Sequence, residues 1–331
     1  MDLFEKCSRF DRARELQRLG LYPYFLEITS FYSARPVPRH VVEIPGKTDE
    51  WVSDWFLPGK IVTNGSFHLT QWRLNEKIRL VKSETYWGRE KIKLGIVDAF
   101  PYQNQTLALN LYLTNGAEWC PDYPRDLVQV LKERPDFRKH AGMVVYYYRF
   151  NNTRPPFNDV RVRKAFCLAI DRQNIVDYVT RLGESPAHLF VPPGMPGYEP
   201  PSTKLRMDVA RAKELLAEAG YPDGKGIKEL GILYNTQETH RKIAEAIADQ
   251  LRTNLGIKVK AYNQEWQAYQ ATTLELNYDM ARAGWIGDYS DPKTFLDMWV
   301  TKGGNNQTGY SNPTYDSLIR YAANVDSFIA V

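Results

Sequence analysis

The stretch richest in usable chemistry is Ala281-Arg282-Ala283-Gly284-Trp285-Ile286-Gly287-Asp288-Tyr289-Ser290-Asp291-Pro292. It reads as a strand running into a glycine-flanked Trp, then a carboxylate, then a helix opened by Pro292 with Asp291 as its N-cap. Trp285 and Asp288 fall where α/β folds hold ligands, and a carboxylate there suits a cationic ligand group. The competing reading makes Asp288 a turn former and Trp285 core. Glu265, beside Trp266, offers a second acid, and an aromatic platform with two acids is what glycoside hydrolysis needs. Its competing reading is a solvated loop acid.

Other chemistries lack their residues. The glycine cluster Tyr221-Pro222-Asp223-Gly224-Lys225-Gly226 has no GK[ST] end and follows a helix, so it is no phosphate loop. His40, His68, His140, His188 and His240 form no HxxxH pair, and Cys7, Cys120 and Cys167 show no metal spacing. Cys167 reads as core on an apolar helix side. There is no GxSxG elbow.

Elements that would position these residues follow from periodicity. Phe67, Leu69 and Gln71 alternate after the Asn64-Gly65 turn, and residues 77–81 follow as a second strand of an antiparallel β segment. Residues 95–100 read as a strand and 124–131 as a short helix. Residues 143–150, β-branched and aromatic throughout, read as a buried or crossing strand. Asn158 or Asp159 can cap a helix with Val162, Phe166, Ala169 and Ile170 on one face; Asp171 caps another through Val179. Asp208 opens a helix with Ala212, Leu215, Leu216 and Ala219 at i, i+3, i+4 and i+7. From residue 229 the order is strand (230–234), helix (239–255), strand (258–262), helix (266–272), strand (280–285) and helix (292–299), an α/β layer pattern.

The chain has 331 residues, room for two domains, with ordinary globular proportions of 43% hydrophobic and 25% charged residues. The net charge of +4 lies wholly in residues 1–150 and the rest sums to zero, so no basic half awaits nucleic acid. No apolar run approaches the roughly 20 residues of a membrane span, and the charged stretch from Met1 to Arg14 cannot be a secretory signal. The unusual feature is 21 Tyr with 8 Trp, a supply of amphipathic rings for binding surfaces.

The chain resembles the family 5 extracellular solute-binding proteins of ABC importers, the oligopeptide- and dipeptide-binding group. The matching text includes residues 37–43, Ile61-Val62-Thr63-Asn64-Gly65, Asn75-Glu76-Lys77-Ile78, Tyr86-Trp87 and Tyr146-Tyr147-Tyr148. It continues through residues 156–165, Ala169-Ile170-Asp171-Arg172, Val191-Pro192-Pro193-Gly194, residues 284–292 and residues 303–313.

What the resemblance implies is an α/β, two-lobed fold of the periplasmic-binding-protein type (type II, large class), incomplete in this chain. Residues 1–21 would be an unplaced segment, 22–148 part of a β-rich lobe I and 149–331 most of an α/β lobe II that lacks its C-terminal return segment. The absent signal would then be truncation. The implied function is oligopeptide binding by hinge closure and delivery to permease subunits, as a periplasmic or membrane-anchored monomer with no cofactor, no metal, no nucleic acid and no catalysis. By resemblance Asp288 pairs with the peptide α-ammonium, and Trp285 and Gly284 line a side-chain pocket. Trp266 and Arg282 stand at the pocket wall, His240 meets a peptide carboxylate, and Tyr146 and Tyr148 lie beside the ligand on the strand between lobes. Trp72 and Trp87 read as core. Oligopeptide binders place a further cation between the Trp266 and Arg282 positions where this chain has Thr273, which leaves peptide length open, and with it ligands such as a nickel chelate, heme or an oligosaccharide. A hydrolase using Glu265 and Asp288 is the reading from another class.

Overall fold

The computed structural model describes residues 54–140, 142–195, 198–202 and 205–322. They divide into two compact units that part between Tyr123 and Pro124. The matching text of residues 37–43 lies outside the described residues, as do Cys7 and residues 1–21.

In the first unit β1 (Phe67–Arg73) and β2 (Lys77–Lys82) form an antiparallel hairpin, and β3 (Ile96–Ala99) pairs with β2 on its other side. The hairpin turns at Asn75, in the left-handed region at φ 56°, a conformation asparagine tolerates. Arg79 and Asp98 face each other across β2 and β3 and form a two-point ion pair at 2.6 Å. Helix α1 (Gln105–Leu113) was not legible in the sequence. Its Leu107, Leu109, Leu111 and Leu113 alternate like a strand, yet the Asn104 side chain accepts from the Thr106 and Leu107 amides at 3.0 Å and caps a helix instead. Trp72 and Trp87 correct the expectation of core: they are 45% and 83% exposed. The sheet is only partly covered among the described residues, with β2 half-buried throughout, so Trp72 packs on Phe56 and Trp87 on Tyr86 at the surface.

The second unit is built on a four-stranded sheet in the order β4-β7-β5-β6. Strands β5 (Leu230–Asn235), β6 (Val259–Gln264) and β7 (Met280–Ile286) are parallel, and β4 (Val144–Phe150) runs antiparallel on the outer edge of β7. One face is covered by α2 (Val160–Leu168), α3 (Val209–Glu218) and α4 (Glu238–Leu255), whose Val162, Phe166, Leu215, Leu216, Leu251 and Leu255 pack with Ile232 and Met280. Burying each such side chain stabilises by about 1.5–3 kcal/mol. The other face carries α5 (Trp266–Leu274), where Tyr269 meets Leu233 and Ala281. Farther along that face, Val145, Val191, Met195 and Phe295 form a separate cluster.

The aspartate caps act as their positions predict. Asp159, Asp171 and Asp208 accept from the main-chain N–H groups of Arg161, Asn174 and Arg211. After Asp171 the helix widens into a π-turn over Ile175–Thr180, ending at Arg181 with φ 60°. Cys167 is a free, half-buried thiol held protonated by burial. Among the described residues no helix is long and apolar enough to cross a membrane. Helix α6 (Pro313–Ala322) closes the described chain.

Candidate ligand-binding crevice

Because β5, β6 and β7 are parallel, their carboxyl ends gather on one edge of the sheet and each leads toward a helix. The first turn of α4 carries His240, and Trp266 opens α5. Strand β5 neighbours β7, but its chain leaves through α4 toward β6 on the far side. That reversal is where open α/β sheets form a crevice. The crevice is visible in the register: β5 and β7 pair only at Ile232↔Met280 and Leu233↔Ala281, while both strands continue beyond.

Arg282 stands at the point of separation. Its main-chain oxygen accepts from the Tyr269 hydroxyl, and its Nη1 donates to Asn235 Oδ1 at 3.3 Å. The guanidinium lies 4.9 Å from the centre of the Tyr146 ring, a cation–π contact that stabilises by about 0.5–2 kcal/mol. Gly284 is opposite Tyr146 in the β4–β7 ladder, and a Cβ there would lie 3.3 Å from Arg282 Nη2, so glycine leaves the guanidinium its place. Among the described residues Arg282 has no carboxylate partner, and its Nε is buried without an acceptor.

Tyr146 links this cation to His240. The tyrosine hydroxyl is 3.2 Å from His240 Nδ1, and the rings are 5.6 Å apart. Burial first, then the Arg282 and Arg125 charges, push the His240 pKa down to about 3. The imidazole is therefore neutral, and its Nδ1 shares one hydrogen bond with the Tyr146 hydroxyl. Burial also raises both tyrosine pKa values, keeping their hydroxyls protonated. Tyr148 meets Tyr146 edge-on at 6.0 Å, and its buried hydroxyl has no hydrogen-bond partner among the described residues. Such an orphan costs about 1–3 kcal/mol.

Tyr146, Tyr148, His240, Arg282 and Gly284 thus form one contiguous group, and Trp266 joins it through Tyr269. Trp266 is 54% exposed and stacked on Tyr269 at 5.7 Å and 17°. Trp285 does not join them. It pairs with Val145, so strand alternation sends it to the opposite face, onto the Val191, Met195 and Phe295 cluster, with its indole N–H buried and unpaired. Asp288 lies beyond β7, exposed; its amide donates to Thr294 Oγ1 at 3.0 Å, and its carboxylate forms no ion pair among the described residues. Burial raises the Asp297 pKa above the ordinary carboxylate value, with Lys293 opposing the shift and Asp288 and Asp291 adding to it. Asp291 accepts from the Lys293 amide at 2.8 Å, the capping role expected of it. Thr273 is enclosed, donating to Gln270 O at 3.0 Å. Sequence reasoning missed Asn235 and Tyr269; the signal for Tyr269 was its place one turn after Trp266.

A ring-lined crevice at the carboxyl edge of a sheet, holding the Arg282 cation, is where open α/β folds bind ligands. The chain belongs to the bacterial extracellular solute-binding proteins, family 5, whose profile, described as "Bacterial extracellular solute-binding proteins, family 5 Middle", matches residues 17–307. It is 36% identical over 307 residues to the periplasmic oligopeptide-binding protein OppA of Escherichia coli, covering 90% of this chain and 55% of that protein. The fold is that of the periplasmic binding proteins. A periplasmic oligopeptide-binding protein of Borrelia burgdorferi superposes with a TM-score of 0.83 at 35% identity, over 92% of this chain and 60% of that one. Haemophilus influenzae OppA in complex with the peptide RPPGFSPFR gives 0.79 at 30% identity, over 92% and 61%. The chain therefore spans a little over half the length of these relatives.

Proposed function

We propose that the chain carries the substrate-binding part of an ABC importer, taking extended oligopeptides between two lobes and handing them to permease subunits after hinge closure. The observation that carries this reading is a pair of charges on one sheet edge that are uncompensated among the described residues: Arg282, half-buried without a carboxylate, and Asp288, a carboxylate without a cation. A peptide brings one ammonium and one carboxylate, and desolvating either is tolerable only against a fixed opposite charge. Neutral His240 adds a polar ring beside the Arg282 end. Tyr146, Tyr148 and Trp266 supply broad ring surfaces that accept varied side chains. Gly284 belongs to this wall by its place opposite Tyr146, while Trp285 packs on the other face of β7.

In this reading residues 22–148 contribute to lobe I, apart from the segment from Pro124 through β4 that belongs to the second unit, and the remainder contributes to lobe II. The protein works as a monomer outside the cytoplasmic membrane, with no cofactor and no catalytic step. The similarity to oligopeptide-binding proteins, one of them solved with a peptide, supports it. Titrating the full-length protein with peptides of two to nine residues should give saturable quenching or enhancement of tryptophan emission with the peptides recovered intact. Silence across such a library sinks the peptide assignment. A response to heme, a nickel chelate or an oligosaccharide alone would move the ligand class within the family.

A further inference from the structure

The β5–β7 ladder ends one residue before Arg282, and the group that takes over at the Arg282 carbonyl is a side chain from a third element. Tyr269 is 2% exposed, so it is buried behind the crevice and does not line it. A residue needed only to fill that space could be Phe. The hydroxyl is engaged on both sides: it donates to Arg282 O and accepts from Arg149 Nη2 at 3.2 Å. Arg149 is itself anchored, its Nη1 donating to Gln307 Oε1. The loop around Gln307 is fixed in turn, Tyr278 donating to Gln307 O and the Asn152 amide to Thr308 O at 2.9 Å. The Tyr269 ring meanwhile stacks on Trp266. One enclosed side chain thus touches the backbone of the crevice cation and the ring of the crevice wall.

We propose that Tyr269 is a positioning residue: its hydroxyl fixes the Arg282 main chain where β7 leaves β5, so that the guanidinium rests between Tyr146 and Asn235, and its ring sets the plane of Trp266. This rests on the reading of the crevice as a ligand site. The physical reason lies in the ladder. A carbonyl at the end of a ladder seeks a donor, and without the tyrosine hydroxyl the nearest supply is a β5 amide. Pairing there would extend the β5–β7 ladder, narrow the crevice and draw Arg282 away from Tyr146.

The test is Tyr269→Phe, which keeps the ring and its stack on Trp266, measured alone and combined with Arg282→Ala. Peptide affinity should fall about three- to tenfold when Arg282 is present, the loss of one hydrogen bond's worth of order, and should not change further when Arg282 is absent. In the unliganded protein, phenylglyoxal should modify Arg282 several-fold faster in Tyr269→Phe, read by peptide mass mapping with Arg211 as the unchanged internal control. Arg149→Lys leaves the hydroxyl but removes its Nη2 donor and should give the same pattern more weakly; it replaces Tyr269→Phe in both measurements if that variant does not fold. An equal affinity loss in both backgrounds, or an unchanged Arg282 labelling rate, overturns the proposal and leaves Tyr269 as packing alone. If no peptide binds the unmodified protein, the ligand reading fails by itself, and the labelling rate still decides whether Tyr269 positions Arg282.

Discussion

The Tyr146 hydroxyl and His240 Nδ1 lie 3.2 Å apart, a contact that ties the imidazole to the ring on which the Arg282 guanidinium rests. Tyr146 sits beneath the Arg282 guanidinium, so the imidazole faces a cation through one ring. The groups acting on it are Arg282 from β7 and Arg125 from the segment before β4, both positive, with burial the larger influence. All three oppose protonation.

His240 should therefore show no titration between pH 5 and 8 when its ring protons are followed by NMR. The linkage has a definite sign. The folded-state pKa of about 3 lies below the ordinary 6.5, so on acidification the unfolded chain takes the proton first. Stability from this group is complete above pH 6.5 and drains away as the pH falls toward 3. At pH 5 the loss is about 2 kcal/mol, since each unit of difference is about 1.4 kcal/mol. Urea unfolding of the wild type and of His240→Gln at pH 7 and pH 5 measures it: the wild type should lose that much more than the variant. An equal pH dependence in both would show that His240 is not held neutral.

Gly284→Ala tests the room left for Arg282. The new Cβ would stand 3.3 Å from Nη2, closer than most such contacts, and the guanidinium can yield because its end is flexible. Peptide affinity should drop several-fold with little change in Tm, because the displaced group belongs to the site and not to the core. A large fall in Tm with unchanged affinity would contradict this.

Much of the second unit was legible because its signals are local. Asp159, Asp171 and Asp208 are short acceptors before apolar-periodic runs, and each caps the helix it precedes. The parallel strands of residues 230–286 are short segments with β-branched and aromatic residues flanked by helical periods, so the strand–helix alternation could be read directly. What could not be read is the pairing. The face that Trp285 shares depends on its register opposite Val145, and the separation of β5 from β7 depends on where a ladder stops. Tyr269 was invisible for the same reason: its partners, Arg149 and Arg282, are 120 and 13 residues away. Trp72 and Trp87 were misjudged because aromatic character says nothing about whether a covering layer exists.

Asp288→Asn removes a crevice-edge carboxylate that has no cation partner among the described residues. If it receives a peptide ammonium, affinity for peptides with a free N-terminus should fall about tenfold or more, the scale of a charged hydrogen bond, while N-acetylated peptides should bind both proteins equally weakly. Calorimetric titration with matched free and acetylated peptides measures the difference. Equal losses for both peptide forms would remove Asp288 from that role.

Asn151 makes the last prediction, because it joins the end of β4 to the start of β7. Its fully buried amide donates to Leu276 O at 2.7 Å and Tyr278 O at 3.0 Å, while its Oδ1 accepts from Thr153 N at 3.0 Å and Thr153 Oγ1 at 2.6 Å. The turn it holds contains Leu276 at φ 55°, a left-handed conformation that costs a branched residue about 1–2 kcal/mol and persists only where its surroundings fix it. Asn151→Ala takes a partner from two carbonyls, an amide and a hydroxyl and should destabilise by about 2–4 kcal/mol. Asn151→Asp keeps the shape but presents a carboxylate to the Leu276 and Tyr278 carbonyls, so it should be worse than Ala near neutral pH and recover as the pH falls and the acid becomes a donor. Urea unfolding of both variants at pH 7 and pH 4.5 gives the order. If Asp proves as stable as Asn at pH 7, the two carbonyl contacts are not what hold β4 to β7.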